Sequence, residues 1–232
     1  MTVSPAYQTY SDADRITHYN EKLASFTEAD RPYTRLVFSK EYHAARAWLS
    51  DEFQALGLEC HSDAGGNLIG RRQAGAQATA PQTVIIGSHI DTVPAGGRYD
   101  GIAGVITAME VVHYLNAHQI TLPFTLEVAD FLGEELNLWG TSCLGSRHMA
   151  GLLNAEMLAR RDELSGVLVR EAGKPLQLTN AVELSSYSGE QGGRGKARRK
   201  RATKRERRRG EKRTGGEKEN ERERREKRSD VK

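Results

Sequence analysis

Cysteine is scarce in this sequence: Cys60 and Cys143 lie far apart and form no C-x-x-C pair. That spacing excludes a zinc ribbon or a dithiol redox motif and points to reduced thiols rather than a disulfide framework. No run approaches the roughly 18 apolar residues of a membrane span. The opening stretch MTVSPAYQTYSDADR has neither a basic start nor an apolar core, so no ordinary secretory signal is expected. These absences lead to the expectation of a soluble, cytoplasmic protein.

Histidine, tryptophan, phenylalanine and tyrosine are all missing after Ser188. Residues 189–232 hold 20 Lys and Arg against 9 Asp and Glu, whereas residues 1–188 hold 14 against 22. The formal charge of +3 is therefore the sum of two unlike pieces. With Val231 as its only branched apolar residue, the segment 189–232 has too little surface to bury and is expected to be a disordered, basic, low-complexity tail. A packed core and any imidazole chemistry are confined to residues 1–188.

What is present there alternates between helix and strand. Ser11 and Asp14 read as a capping box opening a helix to about Glu28, with Ile16, Leu23 and Phe26 on one face. From Ser39 to Leu56, Ala45, Trp48, Leu49, Phe53 and Leu56 recur at helical spacing, and Gly57 stops the run. Leu58–His61 and Asn67–Arg72 read as strands of a hairpin turning through Asp63, Gly65 and Gly66, with Asn67 as a turn residue. Thr83–Gly87 is a β-branched run expected to be buried on both faces. A helix over Gly101–His118 and a strand over Phe124–Phe131 follow, and this order predicts a parallel strand pair with a right-handed crossover. Both strands would then deliver polar residues at their carboxyl ends, where open α/β sheets bind ligands.

Three polar features stand at those ends. His89 ends the first strand and Asp91 follows two residues later, on the same side of an extended chain. Asp91 could accept a hydrogen bond from one ring nitrogen and leave the other for a metal, or the pair could be an ordinary polar strand end. Asp100 precedes a helix, where it could cap the helix or bridge two metal ions. Glu134 and Glu135 follow a buried strand; they are either a solvated loop edge or a divided pair. In the divided reading, Glu135 binds a metal while Glu134 stays free as general base.

The strings GSHIDTVPAGGRYDGIAGV, FLGEE and GTSCLGSRHMAG, preceded by YTRLVFSKEYHAARAWL and DAGGNLIGR, resemble the hydantoinase/carbamoylase family of two-zinc amidohydrolases. That group includes N-carbamoyl-amino-acid hydrolases, ureidopropionases and allantoate amidohydrolases, and the match runs from about Tyr33 to Gly151. The resemblance implies an α/β fold: a partial zinc-peptidase-like catalytic domain with a mixed, mostly parallel sheet flanked by helices. It implies two divalent metal ions, zinc with manganese or cobalt as alternatives. It assigns His89 and Glu135 to separate metals, Asp100 to the bridge, Glu134 to the general base and Asp91 to orienting His89. Leu136 stands where the family often has proline. Cys143 and Arg147, inside GTSCLGSR, either shape the pocket or serve as an ordinary buried thiol and a helix-entry arginine.

The same resemblance implies two more zinc histidines, one in a HIEQG-like string. The sequence has no histidine after His148, and Ser188 stands where that ligand is expected, between Glu183-Leu184 and Glu190-Gln191-Gly192. Residues 1–188 are therefore expected to be an incomplete catalytic domain with weak metal binding and little activity alone, its dimerisation domain absent. Residues codable by purines alone dominate from Arg194 onward, which suggests a frameshifted or chimeric extension. The expected substrate is a small ureido or carbamoyl compound. An aminopeptidase or deacylase of the same zinc-peptidase set is the nearest alternative. A different class, nucleic-acid binding through the tail, is opposed by its interleaved acids and lack of aromatics. No membrane partner is expected, and a homodimer is the family's usual state. Deleting residues 189–232 is expected to leave the heat-denaturation midpoint of the remainder unchanged; a clear fall in calorimetry would show that the tail contributes to the fold.

Overall fold

The computed structural model describes residues 11–79, 82–162, 165–176 and 178. The expected tail, the 188/189 boundary and the Val182–Gly192 comparison lie outside the described residues.

The first helix, α1 (Ala13–Ser25), is capped by Asp12, whose side chain accepts the Arg15 amide, and it ends at Phe26. The cap is one residue beyond the expected Ser11, and the helix stops three residues short of Glu28. Helix α2 (Lys40–Ala55) follows the expected boundaries, with Ser39 accepting the Tyr42 amide as its cap. Gly57 closes it at φ +78°, a conformation that favours glycine.

Strands β1 (Glu59–Ser62) and β2 (Leu68–Arg72) form the expected hairpin. Strand β3 (Thr83–Ser88), helix α3 (Ile102–Ala117) and strand β4 (Thr125–Asp130) form the expected crossover, with β3 and β4 parallel and in register from Thr83–Thr125 to Ser88–Asp130. The sheet order is β1-β2-β4-β3 and the sheet is mixed: β4 runs antiparallel to β2 and parallel to β3. Among the described strands the antiparallel pairings outnumber the parallel one.

One expectation fails. Strand β3 is not buried on both faces, since its residues are exposed or half-buried and Val84 keeps 39% of its surface. Burial on both faces falls to β4, buried at every residue. The reason is position: β4 lies between β2 and β3, whereas no described strand pairs with the outer edge of β3. Composition alone cannot separate a central β-branched strand from an edge one.

Helix α2 packs on β1 and β2, and α3 packs on β3, β4 and α1. The core joins Leu49 and Phe53 of α2, Val105, Met109 and Val112 of α3, and Leu126 and Val128 of β4. Short helices α4 (Leu144–Met149), α5 (Ala155–Leu158) and α6 (Val169–Ala172) follow, and a 3-10 turn over Lys174–Leu176 comes after them. No helix among the described residues is long and apolar enough to cross a membrane.

Glu110 is the acid in the buried face of α3. Its carboxylate accepts the Asp12 amide at 2.9 Å and two bonds from the Arg15 guanidinium at 2.9 and 2.6 Å, tying α1 to α3. Burial pushes this carboxyl up, but Arg15 and the Asp12 amide outweigh it and hold Glu110 below its ordinary value. A depressed folded-state value means stability that is present above the unfolded carboxylate range and lost as pH falls through the folded value. Glu110→Gln is therefore expected to cost about 1–2 kcal/mol at neutral pH. Urea unfolding should show the gap to wild type closing below about pH 4; a gap independent of pH would refute the charge-based account.

Candidate metal centre

The carboxyl ends of β3 and β4 bring the polar residues together. His89 is buried just past Ser88, and Asp91 is buried two residues on. His89 Nδ1 donates to the Asp91 carbonyl oxygen at 3.0 Å, with the Asp91 carboxylate slightly farther at 3.5 Å. The expected ring contact with Asp91 thus runs mainly through its backbone. This fixes the tautomer and leaves His89 Nε2 facing Glu134 at 3.5 Å.

The Asp91 carboxylate has another task, which the sequence did not suggest. Its two oxygens accept the amides of Glu134 and Glu135, each at 3.1 Å. One side chain past β3 thus positions the acid pair past β4. Both acids are half-buried rather than spread on a solvated edge. Ligand atoms of His89, Glu134 and Glu135 all lie within 4.8 Å of one another.

Asp100 is exposed and stands outside that tight group. It does not cap α3, because Gly101 occupies the cap position at φ +69° and no side chain bonds there. Gly101 allows a close approach: a Cβ in its place would fall 2.5 Å from His89 Cε1. Asp100 is consequently held near the cluster, and its charge acts on Glu135.

The electrostatics call for a cation. Burial pushes the Glu135 carboxyl up, and the negative charge of Asp100 adds to that rise. Burial opposes charge on His89, but the bonds to Asp91 and the charges of Asp91 and Glu134 outweigh it and push the imidazole up to about 9. A proton on His89 relieves this concentration of acids, and a divalent ion held by the same oxygens and Nε2 would do so more fully. The donor set of one imidazole nitrogen and several carboxylate oxygens fits zinc, manganese or cobalt.

Beneath the cluster lies a layer that sequence reasoning missed. Asp130, fully buried at the end of β4, accepts the Ile90 amide at 3.0 Å and pairs with Arg46 at 3.3 Å. Arg46 also donates to the Tyr42 hydroxyl at 2.7 Å and to the Gly66 carbonyl. Burial pushes Asp130 up to about 6 although Arg46 pulls the other way. Arg35, buried as well, donates to the carbonyls of Ile90 at 2.6 Å and of Leu23 and Phe26 at 2.8 Å. A signal for Arg46 existed: it shares the buried stripe of Tyr42, Ala45, Leu49 and Phe53, where an arginine needs a partner.

Cys143 adopts a left-handed conformation at φ +56°. Its thiol lies 3.7 Å from Glu134 Oε1, so it shapes the surroundings of the expected base. Arg147 instead donates to the Ser142 carbonyl at 2.9 Å, a local helix-entry contact.

A family model described as peptidase family M28 matches residues 67–191. Over 155 residues the chain is 39% identical to a ureidoglycolate hydrolase of Oryza sativa subsp. japonica, covering 65% of this chain and 30% of that protein. Over 143 residues it is 39% identical to an N-carbamoyl-L-amino acid amidohydrolase of Geobacillus stearothermophilus, covering 61% of this chain and 34% of that protein. A crystal structure of a hydantoinase/carbamoylase family amidase from Burkholderia ambifaria superposes with a TM-score of 0.66 at 31% identity, covering 74% of this chain and 42% of that one. The chain spans about a third of the length of these curated relatives. The ordered motifs, the β3–α3–β4 crossover that gathers them and the family match agree: the chain belongs to peptidase family M28 and is similar to the hydantoinase/carbamoylase amidases.

Proposed function

We propose that this chain carries the metal-binding and catalytic half of a hydrolase that cleaves linear carbamoyl or ureido C–N bonds. The observation that carries the reading is the convergence of His89, Glu134 and Glu135 within 4.8 Å at the ends of the parallel β3–β4 pair. The names of the relatives, a ureidoglycolate hydrolase and an N-carbamoyl-L-amino acid amidohydrolase, support the substrate class.

In this reading His89 and Glu135 would each hold a divalent ion, and Asp100 would supply a further carboxylate to both. Two divalent ions, when bound, polarise the substrate carbonyl and acidify a water molecule. Glu134 would take a proton from the attacking water at its carboxylate and return it to the departing nitrogen. Its side chain retains 42% exposure, which leaves it open to water and substrate. Asp91 touches neither water nor substrate; it holds His89 by its carbonyl and the two glutamates by their amides. His89, Asp100 and Glu135 would supply three ligands in all for two ions, where three for each is usual at a catalytic zinc. Weak metal binding and low turnover are therefore expected of these residues alone.

The peptidase description of the family model favours a second reading, hydrolysis of a peptide or acyl-amino-acid amide at the same centre. Assays on an N-carbamoyl amino acid, allantoate and a dipeptide separate the two. Metal-dependent cleavage of the dipeptide alone would overturn the carbamoyl reading.

Metal content of the purified chain tests the centre itself. Zinc should bind, and His89→Ala and Asp100→Ala should each weaken it at least 10-fold; unchanged uptake in both variants would place the metal elsewhere. Asp91→Asn keeps the size but loses one of two acceptors, and is expected to cost about 10- to 100-fold in metal affinity with the fold retained. A wild-type affinity in that variant would remove Asp91 from the positioning role.

A further inference from the structure

Asn67 does more than turn a hairpin. Its side chain is fully buried and bonded at both ends. Nδ2 donates to Asp63 Oδ2 at 2.8 Å, and Oδ1 accepts the amide of Leu132 at 2.9 Å, 65 positions later in the chain. The turn itself does not need this side chain. Asp63 Oδ1 already accepts the amides of Gly65 and Asn67, at 2.9 and 2.8 Å. The bond to Asp63 instead decides which way the Asn67 amide faces, turning its oxygen toward Leu132.

Leu132 is held at both of its backbone groups. Asn67 takes its N–H, and the Gly145 amide donates to its carbonyl at 2.8 Å. Gly145 must be glycine for the two grips to coexist, because a Cβ there would lie 1.7 Å from Asn67 Oδ1. The β2–β4 ladder ends at Leu68–Asp130, so the Asn67 side chain carries it two residues further. Beyond Leu132 only Gly133, at φ +55°, intervenes before Glu134 and Glu135, whose amides end on Asp91.

We propose that Asn67 is a positioning residue for the Glu134–Glu135 pair, setting the height of their loop through the Leu132 amide while touching neither metal nor substrate. The functional importance of that pair rests on the proposed amidohydrolase reading; the mechanical coupling does not. The loop is held along one side by the amides of Gly145, Leu144 and Cys143, which donate to the carbonyls of Leu132, Gly133 and Glu134, and by side chains at two points, Leu132 by Asn67 and Glu134–Glu135 by Asp91. Asn67 is the side-chain anchor at the start of this loop, and releasing it loosens the height at which Glu135 meets His89. Side chains that orient ligands in this way typically govern metal affinity by about 10- to 100-fold.

The test uses the full 232-residue chain. Asn67→Asp puts a second carboxylate against Asp63, while the double variant D63N/N67D restores one donor facing one acceptor with the roles exchanged. Amide hydrogen exchange at Glu134 and Glu135 is read against Val112 in the core of α3, and zinc affinity is read by competition with a chromophoric chelator. N67D should speed exchange at both glutamates about 10-fold with Val112 unchanged, and weaken zinc by about 10-fold or more. The double variant should recover most of both. Wild-type exchange at Glu134 and Glu135 in folded N67D, or a folded double variant without recovery, would overturn the proposal; so would a lowered melting point alone. If N67D does not fold, D63N, which removes the orienting acceptor, is read by the same exchange criterion. A wild-type chain that takes up no zinc sinks the metal reading, and the exchange comparison still decides the role of Asn67.

Discussion

The Asp91 carboxylate is the constraint on which the site depends. Two parallel strands end side by side, and each continues into a loop with no further sheet to hold it. Asp91, leaving β3, takes the amides of Glu134 and Glu135 after β4, while its carbonyl takes the His89 ring. One residue therefore holds the imidazole and the amides of both acids, while the Cys143 amide holds the Glu134 carbonyl. Both bonds end on a carboxylate, and because they use backbone amides they leave the glutamate side chains unengaged by Asp91.

That arrangement needs a firm base, and the protein provides it with buried charge. Arg35, Arg46 and Asp130 are nearly or fully buried, where an isolated charge would cost several kcal/mol. Each is surrounded by partners: Arg35 by three carbonyls, Arg46 by a hydroxyl, a carbonyl and Asp130, and Asp130 by the Ile90 amide as well. Ile90, between His89 and Asp91, is gripped at its amide by Asp130 and at its carbonyl by Arg35. The backbone that presents the His89 imidazole is thereby fixed on both sides. Such networks add little net stability over apolar packing, but they punish any other arrangement of the same chain.

Much of the fold was legible beforehand. Helices α2 and α3 show apolar residues at helical spacing with clear stops, and the β1–β2 hairpin follows from Asp63, Gly65 and Gly66. The β3–α3–β4 crossover follows from strand-like runs on either side of a long amphipathic stretch. What was misread depended on neighbours. Val84, Ile85 and Ile86 look alike in a central and an edge strand, and only the sheet order shows that β4 takes the center. The α1 cap shifted from Ser11 to Asp12 because the Asp12 amide and Arg15 both reach Glu110, nearly a hundred positions away.

The sequence by itself determined which groups the candidate site contains, because residue types are fixed there: an imidazole and an aspartate past one strand, two glutamates past the next, and a lone acid before a helix. It also determined that these fall at strand ends, because hydrophobic periodicity locates the strands. Tertiary structure alone decided how they are held. The bonds from Asp91 to the glutamate amides, from Asn67 to Leu132 and from Arg46 to Asp130 join residues 43 to 84 positions apart. No local preference encodes such a partner, since the backbone amides of Leu132, Glu134 and Glu135 are chemically the same as any others until folding sets an acceptor beside them.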